Sequence, residues 1–354
     1  MAHRADNTKI LLITRDDPDA ITGGVETFAR HLRHVFGRVD IFAYSGCAGR
    51  RLLLNEARDA WSLVRRLSEE HVPERYDLVV ANGAAAWPIP KKKRGWPPVV
   101  TVYHGTYAGY AQVLRRKESL HGVWTGRVGA LLERQAGRHA SVCVAVSRAV
   151  RQEATRFYGV ETTVIENAIR SEVLSLSATP KTLTRQALGI SKEKATALFV
   201  GRPTWSKGYD LVQHLAAIRP GIQVLAIGGR TDGRVKNGVI ELGTLPPGQV
   251  SQAYALASIV VLPSRYEGCS FVPIEAAARG VPLAVSNVGE FDTLGRQDFG
   301  IVFRTEDAKG FIDSVDEVLA GTHSFSPDDW CRTRHGFGEF QRRWLMVARK
   351  ALGG

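Results

Sequence analysis

The chain has 354 residues, 44% of them hydrophobic and 8% aromatic, with 47 Lys and Arg against 35 Asp and Glu, a formal charge of +12 and a pI near 9.7. That length suits two domains of roughly 150 residues, and that composition builds ordinary buried cores, which excludes a disordered or fibrous chain. No run approaches the ~20 apolar residues of a helical membrane span, while the positive balance suits an anionic partner: a nucleotide diphosphate, an acidic glycan, a phospholipid surface or nucleic acid.

In chain order, Lys9 to Thr14 reads as a first strand, and Arg15 to Gly24 as a polar loop closing on Gly23-Gly24. Val25, Phe28, Leu32, Val35 and Phe36 then share one face of a helix. Val39 to Ala43 and Tyr76 to Ala81 are further strands, separated by a helix from Ala57 to Leu67. A basic loop follows between Trp87 and Pro98, then a strand from Val99 to Tyr103 that ends in His104-Gly105-Thr106. The region from Tyr107 to Arg138 is basic and partly helical, interrupted by four glycines between Gly122 and Gly137. Ser141 to Val146 is a strand, Ser147 caps the next helix, and Thr162 to Ile165 is a strand ended by Glu166-Asn167.

Ser171 to Lys194 is polar and marks the crossover to a second alternation. This begins with strand Ala195 to Val200 and helix Gly208 to Ile218, followed by strands Ile222 to Ile227 and Val239 to Leu242. After a helix from Gln249 to Ala257, Ile259 to Leu262 is a β-branched run fit for a buried parallel strand. A loop rich in Gly and Ser leads to a helix near Pro273, with Gly280 as its stop and Val281 to Val285 as the next strand. Strand Gly300 to Phe303, helix Ala308 to Leu319 and a helical tail from Ser326 to Leu352 complete the chain. The pattern predicts an α/β protein of two Rossmann-like, doubly wound domains facing an interdomain cleft. Boundaries are expected at 1–175, 176–330 and 331–354, the last a C-terminal helix packing back on the first domain.

Four stretches leave strands at the carboxyl end of a sheet, where open α/β sheets bind ligands. Glu267 and Glu275 are separated by seven residues, one in a loop and the other about a turn into a helix. Backbone N–H groups around Ser270 and Phe271 are expected to face the same pocket and favour an anion. Gly201-Arg202 and Lys207-Gly208 follow the second domain's first strand, and their fork and point charge suit a diphosphate. Gly23-Gly24 and His104 end the corresponding turns of the first domain. Taken singly, each has a plain structural reading: paired surface carboxylates, a cationic turn, a β–α turn, a packed histidine.

The segment Glu267-Gly-Cys-Ser-Phe-Val-Pro-Ile-Glu275 resembles the E-x7-E signature of the GT4-type retaining glycosyltransferases of GT-B fold. Pro263-Ser264, Gly268, the Ala-rich helix and Gly280-Val-Pro-Leu match in order around it, and the resemblance spans about Lys9 to Phe303. It departs from the usual pattern at Cys269, Ser270 and Phe271, at Glu166, where proline is usual, and at Ala168, where glycine is usual.

The resemblance implies catalytic roles for His104, Arg202, Lys207 and Glu267. It implies donor binding by Gly23, Gly24, Gly201, Arg202, Lys207, Gly268, Cys269, Ser270, Phe271 and Glu275. The family reaction moves a hexose from a UDP- or GDP-linked sugar to a hydroxyl of a glycan, lipid-linked or small-molecule acceptor, with attack on the face the phosphate leaves. Neither cofactor nor metal is expected: Asp17-Pro18-Asp19 lacks the context of a metal-binding D-x-D, and Arg202 with Lys207 supplies the positive charge. A non-catalytic nucleotide-sugar-binding protein, or a nucleic-acid-binding protein suggested by charge alone, is the alternative; with no aromatic-interleaved RNA signature, no nucleic acid is expected as partner.

Four scattered cysteines and the lack of a signal-type apolar core predict a cytoplasmic chain. Basic clusters at Arg50-Arg51, Arg65-Arg66, Lys91 to Arg94, Arg115 to Lys117 and Arg342-Arg343 leave a peripheral membrane contact open.

Overall fold

The computed structural model describes residues 8–19, 23–44, 53–89, 96–114, 120–170, 184–229 and 235–353. The chain divides into two compact units, Met1–Asn167 with Gly338–Gly354, and Ala168–Phe337. Both expected boundaries move. Helix Pro327–Arg334 stays with the second unit, because Trp330 stacks on Phe291 and Phe299 and Cys331 Sγ lies 3.5 Å from the Ile274 carbonyl oxygen. The second unit also starts earlier, since the Ile169 N–H donates to the His335 carbonyl at 3.0 Å. Helix Phe337–Ala351 packs in the first unit, with Phe340 and Trp344 against Phe28.

The first unit is built on a six-stranded parallel sheet of order β2-β1-β3-β4-β5-β6. Its strands are β1 (Ile10–Thr14), β2 (Val39–Ala43), β3 (Leu78–Asn82), β4 (Val99–Tyr103), β5 (Val142–Ala145) and β6 (Thr163–Val164). β1 and β4 are buried along their whole length, as a parallel strand covered on both faces must be. The chain turns from β2 across β1 to β3, so the topological switch, and with it the ligand crevice, falls between the carboxyl ends of β1 and β3.

The region between Tyr107 and Arg138, read as interrupted, forms two packed helices, Tyr107–Leu114 and Leu120–His139. Gly126, Gly129 and Gly137 are packing notches. A Cβ on Gly126 would fall 2.5 Å from Ala111 Cβ, and one on Gly129 2.5 Å from the Tyr107 ring. The helix foreseen from Ala57 runs from Leu53 to Glu69. Trp87 and Trp96, partly buried, pack on the hydrophobic cluster beneath it. The basic clusters at 50–51, 91–94 and 115–117 lie outside the described residues.

The second unit holds an eight-stranded sheet of order β13-β14-β12-β11-β7-β8-β10-β9. Its strands are β7 (Ala195–Val200), β8 (Ile222–Ile227), β9 (Val235–Lys236), β10 (Val239–Gly243), β11 (Ile259–Leu262), β12 (Leu283–Ser286), β13 (Gly295–Gln297) and β14 (Gly300–Phe303). All pairings are parallel except those of the two short edge strands, β9 and β13. Neither edge strand is legible as an apolar run. The chain winds β7 to β8 to β10 on one side, then crosses to β11, β12 and β14 on the other, placing the switch between β7 and β11.

Candidate functional site

The loops that leave β7 and β11 meet at that switch. Lys207 Nζ lies 2.6 and 2.8 Å from the two carboxylate oxygens of Glu267, and the Ser264 hydroxyl donates to Oε1 at 2.7 Å. Glu267 is buried and Lys207 about a quarter exposed, so the pair sits at the edge of solvent with one face open. The two loops are locked backbone to backbone. The Arg265 N–H donates to the Ser206 carbonyl at 2.8 Å, and Gly208 is so close to β11's exit that a Cβ there would fall 1.9 Å from the Pro263 carbonyl oxygen. Gly208 also has φ +70°, a left-handed conformation glycine adopts without steric cost. A buried guanidinium completes the clamp. Arg265 donates to both oxygens of Asp210 at 2.7 and 2.8 Å and to the Trp205 carbonyl, with its carbon 4.2 Å from the Trp205 ring centre.

Arg202 follows Gly201 at the end of β7, and its exposed side chain enters no hydrogen bond or ion pair among the described residues. Glu275 lies five residues into helix Phe271–Ala277, and its Oε2 accepts from the Tyr254 hydroxyl at 2.9 Å. Tyr254 is fully buried; burial first, then the Glu275 charge, holds its hydroxyl far above the ordinary range, so it stays a donor.

Cys269 and Phe271 turn their side chains into the core, leaving backbone as what they offer. One expectation fails here. The Ser270 N–H is occupied, donating to the buried Glu290 at 3.1 Å, so this helix start carries the protein's own anion. Gly289 backs the same loop, where a Cβ would fall 2.8 Å from the Gly268 carbonyl oxygen.

In the first unit, the carboxyl ends of β1, β3 and β4 are joined by a chain of side chains. Asn82 Nδ2 donates to Thr14 Oγ1 at 3.1 Å, and Asn82 Oδ1 lies 3.1 Å from His104 Nε2. With that amide orientation, Nε2 carries the proton and Nδ1 is left as an acceptor. His104 meets the Phe28 ring edge-on at 4.6 Å, and burial pushes its pKa down to about 4, so it is neutral at pH 7. Gly24 opens helix Gly24–Phe36 with Gly23 as its N-cap. Here too the helix start is already filled: the Glu26 carboxylate bonds its own backbone N–H and would lie 2.3 Å from a Cβ on Gly23. Burial raises the pKa of Glu26.

Sequence reading missed Ser264, Arg265, Asp210, Tyr254, Gly289, Glu290 and Asn82. Their partners lie between 3 and 68 residues away, which spacing along a chain does not reveal. Among the described residues, no group of three or more His, Cys, Asp or Glu is arranged to hold a metal ion, Cys143, Cys269 and Cys331 are buried and outside any disulfide, and no helix is long and apolar enough to cross a membrane.

The sequence matches two family models, glycosyltransferase family 4 over residues 6–173 and glycosyl transferases group 1 over residues 180–342. The chain belongs to this GT4 glycosyltransferase family. It is 28% identical over 182 residues to a Bacillus subtilis glycosyltransferase named for teichuronic acid biosynthesis, TuaC, which covers 50% of this chain and 46% of that one. The chain thus spans about half the length of that relative. Among solved structures, sucrose-phosphate synthase from Thermosynechococcus elongatus superposes with a TM-score of 0.80 at 18% identity, over 98% of this chain and 99% of that one. HepE from Anabaena, solved with UDP-glucose, superposes with a TM-score of 0.65 at 17% identity, over 96% and 99%. These likenesses make the fold GT-B, with two Rossmann-like domains, and both family models lie on the units that carry the residues described above.

Proposed function

We propose that this GT4 protein is a retaining glycosyltransferase that moves a hexose from a UDP- or GDP-linked sugar to an acceptor hydroxyl. The observation that carries the reading is the Lys207–Glu267 pair at the β7/β11 switch, beside an Arg202 whose fork is uncommitted. HepE, of like fold, binds UDP-glucose, which supports a donor of that class.

Each residue's role follows from its chemistry. Lys207 spends N–H donors on Glu267 and keeps one for a phosphate oxygen; Arg202 adds a planar fork. Together they stabilise the negative charge that grows on the departing diphosphate, the work a metal ion does elsewhere. Glu267, fixed by Lys207 and Ser264, keeps lone pairs for sugar hydroxyls. Glu275, fixed by Tyr254, holds the ribose hydroxyls. Gly201, Gly268, Cys269 and Ser270 bring backbone close to the donor. In the first unit, neutral His104 offers Nδ1 to a sugar hydroxyl, and Gly23-Gly24 shape the loop beside it. Because the leaving phosphate accepts the acceptor's proton on the face it vacates, no separate base is assigned.

Thermal unfolding with UDP and with GDP, with and without EDTA, tests the donor site. A shift with one nucleotide, unchanged by EDTA and absent in Glu275→Ala, is expected. No shift with either nucleotide overturns the reading. NMR of the product then reads the anomeric configuration, and an inverted product overturns the retaining assignment.

A further inference from the structure

The chain's charge is not shared between its units. Residues 1–167 with 338–354 carry 29 Lys and Arg against 18 Asp and Glu, net +11; residues 168–337 carry 18 against 17, net +1. The donor-site reading places its diphosphate on the nearly neutral unit, so that anion does not account for the basic one.

Three arginines of that unit share one exposed surface. In helix Leu120–His139, Gly126, Gly129, Glu133, Ala136 and Gly137 are buried, while Arg127, Leu131, Arg134 and Arg138 are exposed. Those four positions, spaced i, i+4, i+7 and i+11, form a single stripe along the outer face. The three arginines enter no hydrogen bond or ion pair among the described residues, and Leu131 between them is 63% exposed. The neighbouring helix Leu53–Glu69 covers the same face of the sheet: Leu63, Val64 and Leu67 share a core cluster with Ala136. Its outer face therefore extends the same surface, presenting Trp61, 46% exposed, with the Arg65 guanidinium 5.6 Å from its ring centre and Arg66 beside it. At the far end, Arg138 and Lys350 line a cleft of about 380 Å³ before the amino ends of β5 and β6. This is the opposite end of the sheet from Asn82 and His104.

We propose that this face docks the protein on an anionic lipid surface, with Arg127, Arg134 and Arg138 at the headgroups and Leu131 and Trp61 entering the interface. Cations alternating with exposed apolar side chains suit that boundary, where charge and apolar burial add. A nucleic-acid backbone would use the arginines and leave Leu131 without a partner. The inference deepens the proposed function, because a protein held at a lipid surface meets a lipid-linked acceptor there.

The test is sedimentation of the whole protein, without nucleotide, with vesicles of phosphatidylcholine alone or mixed with phosphatidylglycerol. Binding to the anionic vesicles alone is expected, falling with salt. The triple variant Arg127→Gln, Arg134→Gln, Arg138→Gln should bind them about 100-fold more weakly, since each cation near such a surface is worth about a factor of five. Leu131→Ser should weaken binding severalfold with the charge unchanged. All variants should keep the wild-type melting temperature and the wild-type nucleotide shift, which separates failure of docking from failure of the donor-site reading. Absence of binding to anionic vesicles, or binding that the triple variant keeps, overturns the proposal. So does equal loss of vesicle and duplex DNA binding in the triple variant with Leu131→Ser unaffected, which would make the stripe a nucleic-acid surface.

Discussion

Lys207 and Glu267 define the donor site at the scale of single residues, because each is held by the other. Removing Lys207 leaves the buried Glu267 carboxylate with the Ser264 hydroxyl as its remaining donor among the described residues, so Lys207→Ala should cost about 1–3 kcal/mol of stability as well as activity. Denaturant unfolding and initial rates, measured together, separate the two losses; full stability with lost activity would mean the pair contributes chemistry alone. Tyr254 acts through Glu275. Tyr254→Phe keeps the buried ring and removes one hydrogen bond, so nucleotide affinity should fall about tenfold with little change in melting temperature. Isothermal titration with the preferred nucleotide checks this, and an unchanged Kd would remove Tyr254 from the site's support.

At the scale of elements, the close approach of the loops after β7 and β11 is what converts two sequence motifs into one site. Gly208→Ala requires a left-handed alanine whose Cβ overlaps the Pro263 carbonyl, and backbone cannot yield as a flexible side chain would. We expect a loss of more than about 1 kcal/mol, together with loss of the nucleotide-induced thermal shift.

The first unit supplies a pH test. Burial, then the neighbouring Glu153 charge, raises Glu133 to about 7 against the hydrogen bonds from the Tyr158 hydroxyl and the Tyr107 N–H. From an ordinary value of 4.5, the folded state holds this proton more tightly than the unfolded one. The resulting stability is complete below about pH 4.5 and is lost as pH rises through about 7, by on the order of 3 kcal/mol. His104 works in the opposite sense. Its pKa falls from 6.5 to about 4, so its contribution is lost as pH falls through that interval. Between pH 6.5 and 7.5 unfolding free energy should therefore fall in the wild-type protein relative to Glu133→Gln, in which only the opposite, rising contribution of His104 remains. Equal slopes in the two proteins would mean Glu133 titrates normally.

Over the whole molecule, charge and chemistry separate: one unit carries nearly all of the net charge and the other the Lys207–Glu267 pair. Sequence alone determined the alternation of strands and helices, because parallel strands buried on both faces write themselves as unbroken runs such as Ile10 to Thr14 and Ile259 to Leu262. It determined the family as well, because glycines and charges at fixed offsets from those runs are local features. The two edge strands, at Val235–Lys236 and Gly295–Gln297, were not legible, since each is short and exposed and is a strand only by virtue of its neighbour. The Ser270 amide reads as open because a helix start is visible in sequence; the Glu290 that accepts from it lies 20 residues on and is not. The glycines of Leu120–His139 read as interruptions because a chain shows the missing side chain and not the Tyr107 ring that occupies its space. Local periodicity is a property of the chain, whereas pairing, occupancy and register are properties of what the fold brings within 3 or 4 Å, and only the tertiary structure decided those.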